Sequence, residues 1–454
     1  TQNIGNGSYS TADSYVKQVW DGRYTGIRMC NQLLENIDRV PDLDPELKKR
    51  YTGEAKVLRA YSYYELYTKF GDIPYTTKVL SIKESMSIAR TAKATVIANI
   101  LADLDEVING NYLPTSYDAD NKGRITRWAA MAIKAKIYLF EGNWTQVKNI
   151  TSTIMTEGGF KLFESYAGLF EIANEYNSEV ILDAQYRPTS REHQMMYVFL
   201  PPTLGGYSQL SPLQELVDSY IMLDGKTIKE TGTSFDESHP YANRDPRLKA
   251  TVMYTGNSYT LADGTEVVIN CEKGEGKDGY GVGSDCSATG YYIKKYWDNT
   301  YRATLYSGLN PILIRYADIL LMNAEALAEL GELDKTAWDA TIKPIRDRAG
   351  FTLASALEFP EGASKDKLIE IVRNERRSEL ALEGHRHKDI IRWRIADNVL
   401  NGWCHGLKTN DVVGTDDGYV RVENRTFNAN KHYLWPIPQA ERDLNGNLEQ
   451  NPNW

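Results

Sequence analysis

Small residues at helical spacing, each series closed by a glycine turn, constrain this chain more than any other feature. In "RWAAMAIKAKIYLFEGNW" Ala129, Ala130, Ala132 and Ala135 keep a helix slim enough for a second helix to approach closely, and Gly142 stops the run before "TQVKNITSTIMTEGG" begins another. The order repeats in "YADILLMNAEALAELGELDKTAWDATIKPIRDRAG", where Gly331 takes the turn. Each stretch predicts an antiparallel helix pair.

The rest of the first half follows the same period. "SYVKQVWDGRYTGIRMCNQLLENIDRV" puts Val16, Val19 or Trp20, Tyr24 or Ile27, Leu34 and Ile37 near helical spacing, and "VPDLDPELKKRYTGEAKVLRAYSYYELYTKFGDIP" adds a turn, an acidic start and a second long helix. The Ala-rich pairs are similar to tetratricopeptide units. From about Phe160 to Gly308 the texture changes to Gly, Pro, Ser, Asn and Tyr, with short strand-like runs in "EVILDAQY", "EVVIN" and "YYIKKYW". An irregular insertion of this length usually carries function. The ending "HYLWPIPQAERDLNGNLEQNPNW" is too rich in Pro and Asn for a long helix and predicts an extended tail.

Composition narrows the function classes. With 42% hydrophobic and 25% charged residues the chain is globular, and a formal charge of -9 without a basic tail argues against a nucleic-acid partner. Tyrosine is abundant (30) and phenylalanine scarce (10), a balance that suits surfaces wanting an apolar ring with a polar tip, sugar clefts among them. No apolar run approaches a membrane span. Cys30, Cys271, Cys286 and Cys404 have no zinc spacing and no HExxH is present, so neither a metal nor a cofactor is expected. Cys271 and Cys286 bracket "EKGEGKDGYGVGSD" and either close a loop disulfide or remain thiols; Asp278 and Asp285 in the same loop are the weaker alternative of a calcium site.

Taken in order, "LRAYSYYELYTKFGDIPY", "NRDPRL", "IRYADILLMNAEALAELG", "IRDRAG", "RNERRSELALEGHRHKDIIRW" and "LWPIPQAERDLNGNLEQNPNW" resemble the SusD/RagB family of nutrient-binding outer-membrane lipoproteins of Bacteroidetes, nearly end to end. The resemblance implies a mainly α fold, with tetratricopeptide-like helix pairs forming a right-handed superhelical scaffold around a long irregular, partly β insertion. It implies a single domain over 1–454: a helical part at 1–159, a ligand-bearing insertion at 160–308, helices at 309–400 and an extended tail at 401–454. It also implies oligosaccharide capture without cleavage, delivery to a TonB-dependent (SusC-like) transporter, and a lipid anchor to the extracellular face of the outer membrane. No lipidation Cys precedes Thr1 in the chain as given, so that attachment rests on the resemblance alone.

In "RNERRSELALEGHRHKDIIRW" Arg376, Glu379 and Glu383 recur on one helix face where a core stripe belongs. Glu379 and Glu383 lie one turn apart, close to the carboxylate separation of a retaining glycosidase. Yet both point the same way, and Arg373, Arg376 and Arg377 beside them would keep them ionised, whereas a general acid needs a raised pKa. A structural network is expected, with Arg376 and Glu379 paired at i, i+3. The six His show no metal spacing. Candidate glycan contacts are loop aromatics and their polar neighbours: Tyr75 after "FGDIP", Tyr207 in "LGGYSQLSP", and Tyr296, Trp297, Asp298, Asn299, Tyr301 and Arg302 in "KKYWDNTYR". In an alternating strand Tyr296 faces the core and Trp297 the opposite side. A helical-repeat scaffold for a protein or peptide is the alternative from another class, and a glycoside hydrolase a further one.

Overall fold

The computed structural model describes residues 2–300 and 304–454, folded as two compact units. The first comprises Thr1–Gly158, His387–Gly402 and Arg425–Trp454; the second comprises Gly159–Arg386 and Trp403–Asn424. These boundaries differ from the expected 160–308 and 309–400 segments, because the later helices pack with the insertion.

In the first unit, α1 (Ser14–Asn36) begins at Asp13, whose carboxylate accepts from the backbone N–H groups of Tyr15 and Val16. Helix α2 (Pro45–Phe70) starts with the Asp44 cap and Pro45, a residue suited to the first turn because it has no N–H to leave unpaired. Its second half is buried nearly all round, including Tyr63, Leu66, Tyr67 and Phe70. Helix α3 (Lys93–Asn109) buries Val96, Ile100, Leu104 and Val107, a helical stripe. Helices α4 (Arg127–Phe140) and α5 (Trp144–Glu157) form the first alanine-rich pair, and α1, α2, α3, α4 and α5 each pack on the next.

The chain end closes this unit. Trp435 N–H donates to Lys69 O at 2.7 Å, and the Asn451 amide donates to Phe70 O and Trp435 O at 2.8 and 2.7 Å. The expectation of an extended tail over 401–454 holds only for part of this segment. Gln439–Leu444 is helical, and residues 402–425 supply a three-stranded sheet of β7 (Gly402–Lys408), β9 (Tyr419–Arg425) and β8 (Thr415–Asp416), in that order.

The second unit mixes short strands with helices. Strand β1 (Val180–Asp183) pairs antiparallel with β6 (Ile312–Arg315), β2 (Val252–Met253) with β5 (Tyr292–Ile293), and β3 (Ser258–Thr260) with β4 (Glu266–Val268). Tyr220, Tyr259, Tyr291 and Tyr292 are buried together with Ile269 and Val252, so much of the tyrosine surplus is core. "YYIKKYW" is strand only at Tyr292–Ile293: Tyr296 has φ +66, a conformation that ends the alternation. Helices α7 (Tyr316–Leu330) and α8 (Lys335–Ala349) form the second predicted pair, turned at Gly331, and α9 (Lys365–Glu379) packs on both. A short helix, Pro246–Thr251, meets α9 as well and is α6 in chain order.

Candidate functional site

The charged stretch is buried within the second unit as an ionic cluster. Glu379 accepts from Arg315 at 2.6 Å, from Arg247 at 2.8 Å and from Arg348. Glu383 pairs with Arg315 and Lys295, both at 2.7 Å; Glu179 with Arg315 at 2.7 Å and Arg348 at 3.0 Å; Glu375 with Arg247 and Arg346, both at 2.7 Å. Asp245, cap of α6, pairs with Arg247 at 2.7 Å. Carboxylates and cations balance five to five in this set. The expected Arg376–Glu379 pair is corrected: Arg376 reaches Asp318 of α7 at 2.6 Å, since i, i+3 neighbours lose to buried partners on facing helices.

Burial alone would raise these carboxyls, but the guanidinium groups outweigh it. Glu379 lies far below the usual carboxylate range, and Arg315 and Lys295 hold Glu383 down to about 2. Neither can hold the proton a glycosidase acid must donate. A carboxyl depressed in the folded state stabilises it above the ordinary value of 4.5 and ceases to do so as pH falls through the folded value. Thermal midpoints followed by circular dichroism are therefore expected to stay level from pH 7 to about 5 and to fall steeply toward pH 2. Midpoints unchanged down to pH 2 would contradict that.

The second unit presents a different surface at its loops. Tyr197, on the short helix Met195–Phe199, and Tyr207 stack with ring centroids 4.2 Å apart and planes 28° apart. Tyr207 is 40% exposed. Its N–H donates to Tyr197 O at 3.0 Å, and the preceding Gly206 lies so close to Leu200 that a Cβ there would sit 2.1 Å from the Leu200 carbonyl oxygen. Only glycine permits that approach, which seats Tyr207 on Tyr197. At the residue that precedes this short helix, the exposed Gln194 amide donates to the Tyr306 hydroxyl at 2.7 Å, and Tyr306 is 43% exposed. His193 and Ser307 hold this arrangement through paired backbone hydrogen bonds of 2.9 and 3.0 Å. Three partly open rings and an amide thus gather around this one short helix, the pairing of flat apolar faces and hydrogen-bonding groups that a sugar ring requires.

The predicted residues are distributed unevenly around it. Tyr207 is central. Asn299 is exposed at the start of the loop that ends at Tyr306. Asp298 is buried and engaged: its carboxylate accepts from the Thr300 N–H and hydroxyl at 3.1 and 2.6 Å and from the Ser307 hydroxyl at 2.6 Å. It therefore ties Thr300 to Ser307, and its burial keeps the carboxylate from a sugar. Tyr296 is 6% exposed and packs edge-on against Phe170 at 5.0 Å, so its ring offers no stacking face. Trp297 is half-buried against Tyr259, with its indole N–H on Thr260 O at 2.8 Å. Tyr301 and Arg302 lie outside the described residues. Tyr75 belongs to the first unit, where it rests on Tyr63 at 4.7 Å and burial raises its hydroxyl to about 12.

Sequence reasoning missed Tyr197, Tyr306 and Gln194. "MMYVF" reads as a core run, but of its five residues only Met196 is fully buried. Cys271 and Cys286 are free thiols, the first buried. Asp278 is buried and accepts from Thr203 N–H at 2.8 Å, and among the described residues no cluster of His, Cys, Asp and Glu is arranged to hold a metal ion. No helix among them is long and apolar enough to cross a membrane.

Comparison with known proteins gives a consistent relationship. A SusD-like carbohydrate-binding protein of Bacteroides fragilis is 28% identical and superposes with a TM-score of 0.87, covering 98% of this chain and 88% of that one. A SusD-like protein of Formosa agariphila is 27% identical over 85% of this chain and 71% of its own length. A laminarin-binding SusD-like protein is 25% identical, with a TM-score of 0.67 over 96% of this chain and 85% of that one. The profile described as "Starch-binding associating with outer membrane" matches residues 2–139. Since the profile of the SusD family matches residues 168–454, well over half of the sequence, this chain belongs to the SusD family, a family of carbohydrate-binding proteins.

Proposed function

We propose that the protein captures an oligosaccharide on the Tyr197–Tyr207–Tyr306 patch and passes it, uncleaved, to a TonB-dependent transporter of the SusC-like class, while a lipid anchor holds it at the extracellular face of the outer membrane. The observation that carries this reading is the stacked tyrosine pair, with Tyr207 40% exposed and its backbone N–H tied to Tyr197 O. Preset rings lose little entropy on binding a sugar, and the Gln194 amide can exchange its tyrosine partner for a hydroxyl. The laminarin-binding relative and the starch-binding profile support a glucan as the first class of ligand to try. The carboxylates best placed by sequence for hydrolysis are locked in ion pairs, which supports capture over turnover.

Calorimetric titration against soluble glucans and their oligosaccharides, with reducing ends counted in the same mixtures, tests this. Saturable binding with a constant reducing-end count is expected. Growth of reducing ends, or silence across the whole panel, would overturn it.

A further inference from the structure

A cleft in the first unit lies outside this reading. It measures about 560 Å³ and is lined by Asp44 and Arg50 of the start of α2, by Asn111, Tyr112 and Thr115 of the loop after α3, and by Arg127, the first residue of α4. Its volume is that of a small-ligand site. The sequence builds it deliberately. Gly53 lets the loop sit against α2, since a Cβ there would meet the Tyr112 Cβ at 2.8 Å, and Asn111 turns the chain with φ +51. Arg127 N–H donates to Pro114 O at 2.9 Å and fixes the other wall.

What two arginines in its wall lack is an acceptor. The Nε groups of both Arg50 and Arg127 are buried with no hydrogen-bond partner. Arg50 is held in place over the rings of Tyr51 and Tyr117, 5.4 and 5.8 Å from their centroids, and not by a carboxylate. Glu54 and Glu106 are engaged elsewhere, Glu54 on Arg124 at 2.6 Å and Glu106 on Lys56 and Tyr112, while Asp44 holds the Leu47 N–H at 2.9 Å through one oxygen only. Buried guanidinium N–H groups are nearly always paired, and a planar oxyanion is their best partner.

We propose that this cleft binds the carboxylate of a uronic acid residue in an oligosaccharide, with Arg50 and Arg127 on the carboxylate and Asn111 and Thr115 on ring hydroxyls. Asp44 and Glu46 also line the cleft and accept further hydroxyls, which favours a sugar acid over an acidic peptide that has no hydroxyls to offer. The inference rests on the glycan-capture reading but uses a different site, so the two can fail separately.

The test is calorimetric titration with trigalacturonate and with its neutral, carboxyl-reduced form. Intact protein is expected to bind the charged trisaccharide at least about tenfold more tightly, with the preference shrinking as salt rises. Arg50→Gln with Arg127→Gln is expected to abolish the preference, whereas Tyr197→Ala with Tyr207→Ala leaves it intact. Asn111→Asp adds a charge at a backbone position Asp tolerates, and is expected to weaken trigalacturonate binding several-fold without lowering the thermal midpoint. Equal affinity for the two trisaccharides, no binding of trigalacturonate, or a preference that survives both arginine substitutions would overturn the proposal. If neutral glycans fail at the tyrosines while this preference holds, the capture surface is wrong and the cleft stands.

Discussion

Replacing Glu379 with alanine is expected to destabilise the protein by about 3–5 kcal/mol, because it strands buried charge. Arg315, Arg247 and Arg348 converge on this one carboxylate, and all are shielded from water. A loss of that size is a large part of the total stability of an ordinary domain, so the variant is expected to melt roughly 10 °C lower or to express insolubly. Glu379→Gln separates charge from packing. It keeps the shape, yet its amide N–H₂ would face a guanidinium, so most of the loss is expected to remain. Asp21→Asn is the contrasting case, since its pair with Lys17 is solvent-exposed and should move the midpoint little. Circular dichroism melts of the three variants decide the matter, and a Glu379→Gln protein as stable as its parent would refute the account of the network.

The second large effect belongs to binding. Tyr197→Ala combined with Tyr207→Ala is expected to weaken glycan affinity by about thirtyfold or more, the size seen when a central aromatic anchor of about 2 kcal/mol is removed. Both rings are partly solvent-exposed and stack on each other, so the thermal midpoint should hardly change. Trp297→Ala is expected to behave oppositely, lowering stability through its contacts with Tyr259 and Thr260 more than it lowers affinity.

The helices were legible because their information is local: the stripe Val96, Ile100, Leu104 and the alanines at 129–135 carry the 3.6 period in consecutive residues. That Glu379 and Glu383 are structural was legible too, since neighbouring arginines already argued against a raised pKa. Their partners were not. Arg247 comes from a point 132 residues earlier, and no spacing rule reaches that far. The same limit explains the glycan candidates. Tyr296 and Asp298 have the right chemistry for a sugar, but a left-handed backbone at Tyr296 and the Asp298–Ser307 tie turn both inward. Tyr197 has an unremarkable sequence context, and only the close passage of Gly206 over Leu200 gives it a stacking partner and an open face.

The most direct measurement is an NMR titration of protein labelled at its tyrosine rings with an oligosaccharide that binds by calorimetry. The resonances of Tyr197, Tyr207 and Tyr306 are expected to shift together and saturate with the calorimetric affinity, while the core tyrosines, Tyr220 and Tyr259 among them, stay still. A neutral glycan that binds without moving those three rings would show that capture occurs elsewhere on the protein.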